Sequence, residues 1–159
     1  TSWKQLMWLI PLGWFIWSLL EFALHRFFFH WTPHHRRLKQ IIRSLHVNHH
    51  GDSRNPDKIL VRPIYSLTVS ALFLAGFSTV TGSFFTASAL LTGLWQGFLY
   101  YELVHYRLHL SKADSGLLGY QRQGHFYHHF VNPNHCFGVT SPLWDLVFGT
   151  YRRVSAGKP

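Results

Sequence analysis

The sequence predicts an all-α integral membrane protein with about three transmembrane helices and a histidine-rich helical cap on the cytoplasmic side. Three observations predict it. Long apolar stretches alternate with polar ones in a 159-residue chain that is 47% hydrophobic and 18% aromatic, a segregation that a bilayer explains. Basic residues outnumber acidic ones, fifteen Lys and Arg against six Asp and Glu, and they gather in the polar stretches. Thirteen histidines are present, ten of them clustered as His25 and His30, His46, His49 and His50, His105 and His109, and His125, His128 and His129.

The elements follow in order. Residues 6–24 are apolar apart from Ser18 and the lone carboxylate of Glu21. At a rise of ~1.5 Å per residue this stretch spans roughly the ~30 Å hydrocarbon layer. Trp3, Trp8, Trp14 and Trp17 suit interfacial and lipid-facing positions, and Pro11 is expected to kink or begin the helix. The stretch runs on into His25 with no small-residue cleavage site, so no cleavable signal peptide is expected.

The segment from His30 to Arg62 is polar and carries Arg36, Arg37, Lys39, Arg43, Arg54 and Lys58. Residues 64–81 are apolar, Gly82-Ser83 breaks the run, and residues 84–104 are apolar again, which reads as a helical hairpin with a very short turn. Gly93-x-x-x-Gly97 in its second arm would permit close helix contact without identifying the partner. The tail from His105 to Pro159 is polar, with Gly, Pro and Asn punctuation between Asn132 and Gly138. The length fits a single domain, residues 1–159, with the cap built from 25–62 and 105–159.

Charge orients the spans. Only Lys4 lies on the N-terminal side, and no Lys or Arg flanks the Gly82-Ser83 turn, whereas the other fourteen basic residues lie in or beside the two polar segments. The positive-inside rule therefore puts both polar segments, and all the histidine clusters, in the cytoplasm, with the N-terminus outside. Nucleic acid is not an expected partner: no recognition motif accompanies the basic charge, and it would leave the apolar runs unexplained. The single Cys136 excludes an internal disulfide and any cysteine-based zinc or iron–sulfur site.

Histidines three and four apart on a helix share a face. His46, His49 and His50 meet that condition, as do His125, His128 and His129, and His105 and His109 are one turn apart. His25 and His30 are five apart, which fits a straight helix less well and predicts different edges of the site or different metals. Ten ligands exceed the capacity of one metal, so two metals with roughly five positions each are expected. Glu21 and Glu102 lie about one turn before His25 and His105. Each is placed either to accept a spare imidazole N–H, or to snorkel toward or cap a basic residue such as Arg26 or Arg107. His34, His35 and His135 fall outside the repeated spacing and read as surface or substrate-proximal residues. No catalytic side chain beyond the metal centre is expected.

The chemistry narrows by elimination. The sequence has no His-Glu-x-x-His, no Gly-x-Ser-x-Gly elbow and no Gly-rich phosphate loop. Imidazole-only metal pairs at a membrane face suit O2 activation on a lipid-soluble substrate. Iron can supply the oxidant for an unactivated C–H bond, whereas zinc has no redox chemistry.

The order His-x4-His, His-x-x-His-His, His-x3-His, His-x-x-His-His, with a membrane hairpin between the second and third, resembles the fatty acid hydroxylase/sterol desaturase superfamily of membrane di-iron enzymes. The resemblance covers nearly the whole chain from Phe15 onward. Within it the chain is most similar to the fatty acid (sphingolipid) 2-hydroxylase branch. Three stretches carry that likeness: Leu20 to Phe27; His49-His50 with Pro56-Asp57 and Leu60 to Pro63; and Phe137 to Asp145, continuing to Phe148-Gly149-Thr150.

The resemblance implies that the ten clustered histidines are the ligands of two metal ions. Iron is expected for activity, with zinc able to replace it in a purified sample. The implied monooxygenase reaction is O2-dependent hydroxylation at C2 of a fatty acyl chain or acyl lipid. Eukaryotic members of that branch often carry a fused b-type cytochrome domain and a further membrane helix, and neither is expected here. Electrons are therefore expected from an external donor such as a b-type cytochrome or a ferredoxin with its reductase. The competing expectations are a sterol or carotenoid hydroxylase or desaturase of the same superfamily, and a non-catalytic zinc-binding membrane module.

Overall fold

The computed structural model describes residues 2–112 and 115–154, and all the regular secondary structure among them is helical. Helix α1 (Trp3–Ala23) passes directly into a π-helix, π1 (Leu24–Phe29). Short helices follow: α2 (Arg36–Ile42), a second π-helical segment π2 (Arg43–Val47), α3 (Asn48–Gly51) and α4 (Pro56–Ile59). The hairpin arms are α5 (Pro63–Thr81) and α6 (Phe84–Leu110), and α7 (Gly116–Phe130) and α8 (Leu143–Val147) complete the order.

Local chemistry sets these boundaries. Pro63 opens α5, where its missing N–H costs nothing, and Gly82 closes it with φ 63°, a left-handed conformation that suits glycine. The Asn55 side chain accepts the Asp57 N–H at 3.1 Å, and Pro56 follows as the first residue of α4. His35 caps α2 through its ring, accepting the Leu38 N–H at 3.4 Å. Pro11 lies inside α1 and does not begin it. The helix of the second arm runs on beyond Val104 to Leu110, so His105 and His109 are helical and one turn apart.

Two helical stretches, Trp3–Phe29 and Pro56–Thr81, are long and apolar enough to cross a membrane. Helix α5 buries none of its residues within the protein, and Leu72 and Val80 remain 69% and 86% exposed. Apolar surface of this extent costs roughly 25 cal/mol per Å² in water and is at home in lipid.

The chain packs as two compact units. One gathers the N-terminal helix as far as Leu19 with Val61–Tyr100; the other holds Leu20–Leu60 and the chain from Tyr101 onward. In the first unit α1 and α6 approach through glycines. A Cβ on Gly93 would lie 1.9 Å from the Ile10 carbonyl oxygen, and one on Gly13 would lie 2.1 Å from that of Leu90. Gly97 makes room for the Trp17 ring, and Trp17 meets Phe98 edge-on with ring centroids 5.2 Å apart. Gly93 thus packs against α1, a partner that the spacing alone does not name. Gly93→Ala is expected to wedge the two helices apart and destabilise the protein by about 1–3 kcal/mol, the usual cost of overpacking. Thermal unfolding in detergent reads this out, and an unchanged melting temperature would count against so close an approach.

Candidate metal centre

The second unit buries imidazole as thoroughly as hydrocarbon. His25, His46, His49, His105, His109, His125 and His128 are all buried, alongside Phe22, Ile42, Leu108 and Val139. Burying so many polar rings is costly unless their nitrogens find partners.

The ten clustered histidines fall into two groups of five. His25, His30, His46, His50 and His128 form one; His49, His105, His109, His125 and His129 form the other. In each group one nitrogen per residue lies within 4.8 Å of all the others. His34 and His35 are exposed and stand outside both groups, as does the half-buried His135.

The grouping departs from a one-face-per-cluster expectation. In each His-x-x-His-His motif the first and last histidines, four apart, serve one group, and the middle one turns to the other. His46 and His50 go with His128, while His125 and His129 go with His49. Positions i and i+4 lie almost one above the other on a helix, and i+3 is rotated away from both. The two motifs are therefore interlocked.

His25 and His30 belong to the same group, against the expectation of different edges or metals. The physical reason is π1. Its i→i+5 hydrogen bonding brings residues five apart into register, and the two rings lie 5.4 Å apart and nearly parallel. His46 lies in the other π segment, π2. Short π segments of this kind concentrate at functional sites.

Nitrogen geometry is the test of whether metals fit. His25 Nε2 lies 3.1 Å from His46 Nε2, His46 Nε2 lies 2.7 Å from His50 Nε2, and His30 Nε2 lies 3.0 Å from His128 Nε2. In the other group His109 and His125 bring their Nε2 atoms to 2.7 Å. Two imidazoles bound to one ion at roughly 2.0–2.1 Å each can stand no more than about 4.2 Å apart, so atoms converging in this way match a shared ion. His49 and His129 bury both ring nitrogens with no hydrogen-bond partner. Orphaned buried nitrogens and a purely imidazole donor set fit two divalent transition metals. No Cys, Asp or Glu joins either group among the described residues.

Protonation agrees with ligation. Burial, reinforced by the charge of neighbouring imidazoles, holds His49 down to about 3, and burial holds His128 down to about 3 as well. His50 and His109 are lowered to about 4 for the same first reason, and His46, His125 and His129 are lowered too. At neutral pH these rings are neutral, which is the form that binds a metal.

Of the two carboxylates singled out by the sequence, Glu21 is engaged by the backbone of a distant loop. Glu21 is buried, but its carboxylate accepts the Val139 and Thr140 N–H groups at 2.7 and 2.8 Å and the Thr140 hydroxyl at 2.6 Å. The His25 Nδ1–H goes instead to the Phe137 carbonyl. Backbone amides arriving from the distant 139–140 loop take up the carboxylate before the imidazole can. Glu102 is half-buried on α6. Sequence reasoning passes over a third carboxylate, Asp145, which is 1% exposed and tied to the same loop. Its signal was an acidic residue inside the apolar run Leu143–Val147.

The family model described as fatty acid hydroxylase matches residues 10–150. The chain is 31% identical over 153 residues to a dihydroceramide fatty acyl 2-hydroxylase of Arabidopsis thaliana, covering 89% of this chain and 60% of that protein. It is 29% identical over 145 residues to the fatty acid 2-hydroxylase of Homo sapiens, covering 89% of this chain and 39% of that protein. A solved structure described as full-length scs7p, with only the hydroxylase domain visible, matches with a TM-score of 0.88 at 30% identity. That match covers 100% of this chain and 60% of the other. The chain thus spans 60% or less of the length of these relatives.

Proposed function

The chain belongs to the fatty acid hydroxylase family, and from that premise we propose that it is an O2-dependent, two-metal hydroxylase acting at C2 of a fatty acyl chain or acyl lipid. The observation that carries this reading is the pair of five-imidazole groups, interlocked through two His-x-x-His-His motifs. The names of the relatives, fatty acid and dihydroceramide fatty acyl 2-hydroxylases, support the substrate class and the position of attack.

Two iron ions held by His25, His30, His46, His50 and His128 and by His49, His105, His109, His125 and His129 would supply the activation of O2, with two electrons from outside the chain. The donor is a b-type cytochrome or a ferredoxin with its reductase. Zinc is expected to occupy the same imidazoles in a purified sample. The protein's own part is positional. The Phe137 and His135 carbonyls accept from Nδ1 of His25 and His128, which leaves each Nε2 lone pair free to face a metal. Burial keeps bulk water from the ring nitrogens and keeps the ligands neutral. No side-chain acid or base is assigned a proton-transfer role.

The whole chain acts as a single hydroxylase-type membrane domain in this proposal. Residues 84–104 form a third span beside 6–24 and 64–81, with the N-terminus outside and the histidines on the cytoplasmic side. The asymmetry of basic residues supports that orientation.

Expression in a host that lacks 2-hydroxy acyl lipids, followed by mass spectrometry of the lipids, tests the function. A gain of 2-hydroxy acyl chains is expected. Unchanged acyl chains with altered sterols or carotenoids would sink the acyl assignment. Failure of the iron-loaded protein to consume O2 with reductant and lipid would leave a zinc-binding module.

A further inference from the structure

The segment from His135 to Thr140 has no regular secondary structure, yet every backbone N–H from Cys136 to Thr140 has a buried acceptor. Asp145 takes the Phe137 and Gly138 amides at 2.9 and 2.7 Å, and Glu21 takes those of Val139 and Thr140. The Cys136 N–H goes to the Thr150 carbonyl at 3.0 Å. Asp145 also accepts the Thr150 hydroxyl at 2.6 Å, and its own carbonyl accepts the Thr150 and Tyr151 N–H groups. Gln121 donates to the Thr140 carbonyl at 2.7 Å. Two carboxylates thus bind four consecutive amides, a multidentate grip that fixes the path of the loop.

That path is not a relaxed one. Cys136 has φ 58°, the single positive φ at a non-glycine among the described residues. A left-handed cysteine is uncommon and persists only where its surroundings over-determine it. Gly138 lies so close to the turn beyond it that a Cβ would meet the Ser141 carbonyl oxygen at 2.1 Å and the Asp145 carboxylate at 3.0 Å. The outcome of the turn at Cys136 is that the carbonyls on either side of it both face histidines. His135 O accepts from His128 Nδ1 at 2.9 Å, and Phe137 O accepts from His25 Nδ1. A carbonyl can only accept, so each Nδ1 carries its proton and each Nε2 presents a lone pair. Both histidines belong to the His25/His30/His46/His50/His128 group. No hydrogen bond from this loop to the other five histidines is seen among the described residues.

We propose that Asp145, assisted by Glu21, is a positioning residue that aims His25 and His128 at one metal of the pair through the backbone carbonyls flanking Cys136, and leaves the second metal's ligands to other elements. The proposal rests on the two-metal reading.

The test is titration of the metal-stripped, detergent-solubilised full chain with cobalt(II), followed by visible absorption. The unaltered protein is expected to take up two equivalents. Asp145→Asn puts an amide where two N–H groups need acceptors; it should keep one equivalent at unaltered affinity and weaken the other about 10–100-fold, the range for loss of an outer hydrogen-bond partner. Glu21→Gln is expected to weaken the same equivalent. Equal weakening of both equivalents, or of neither, would overturn the proposal. Should Asp145→Asn fail to fold, the Cys136 pair decides. Cys136→Val, whose branched side chain opposes positive φ, should weaken that one equivalent, and Cys136→Gly, which adopts the conformation freely, should weaken it less. Indistinguishable Val and Gly variants would refute the role of the turn. If the unaltered chain does not bind two equivalents, it is the two-metal reading that fails.

Discussion

Replacing His49 or His128 with alanine is expected to reduce acyl hydroxylation by more than about 100-fold, beyond the 10–100-fold cost of losing an outer partner. These two are the crossing histidines. Each sits in one His-x-x-His-His motif and completes the group built by the other motif. Loss of His128 removes a ring that is 0% exposed and whose Nδ1 is already committed to the His135 carbonyl, so no neighbouring side chain can substitute for it. Loss of His49 opens the other group in the same way. His34→Ala, at an exposed position outside both groups, serves as the control and should stay within about twofold, as surface changes usually do. Product mass spectrometry and elemental analysis of the purified protein check this together. Full activity in both crossing variants would refute the ligand assignment.

Acidification is expected to strip the metals and then unfold the chain. The sign follows from the depressed histidines. Their ordinary value is 6.5, and burial brings His49 and His128 to about 3 and His50 and His109 to about 4 in the fold. Between those limits the unfolded chain binds protons that the folded chain refuses. Stability is therefore fully present above about pH 6.5 and is lost as pH falls toward the folded values. For His49 and His128 the loss is at most about 1.4 kcal/mol per residue for each pH unit below 6.5. Protons compete with metals for the same Nε2 atoms, so metal release should begin in that window. Metal content after gel filtration from pH 7.5 down to 4.5, and melting of the stripped protein over the same range, measure both effects. A melting temperature that does not change between pH 7.5 and 5 would contradict the buried neutral histidines.

The sequence made much of the fold and the membership of the histidine clusters legible, for physical reasons that differ by element. The apolar runs announce α1 and α5 because transfer to lipid depends on composition summed over about twenty residues. Gly82 announces the turn because few other residues take positive φ. The ten histidines are visible because their repeated spacings stand out whatever the fold, and the structure gathers those same ten into two groups. What stays hidden is relational. The spacing of His25 and His30 looks wrong until π1 supplies a different helical period, and Leu24–Phe29 contains nothing that distinguishes π from α. The division of His46, His49 and His50 between two groups depends on where α7 places His125, His128 and His129. The partners of Glu21 lie 118 and 119 residues away, a separation that no local pattern encodes. The Phe137 and His135 carbonyls belong to the backbone, which every residue shares, so no residue type marks them.

The interlocked motifs also impose an order on the birth of the protein. A nascent chain that has emerged only as far as Lys112 already contains His25, His30, His46, His49, His50, His105 and His109. It still lacks His128 for one group and both His125 and His129 for the other. Neither group can be completed by the earlier part of the chain, and the two are completed one residue apart, at His128 and at His129. In the two-metal reading, neither ion can be fully held until α7 has arrived, and both sites then become complete almost at once.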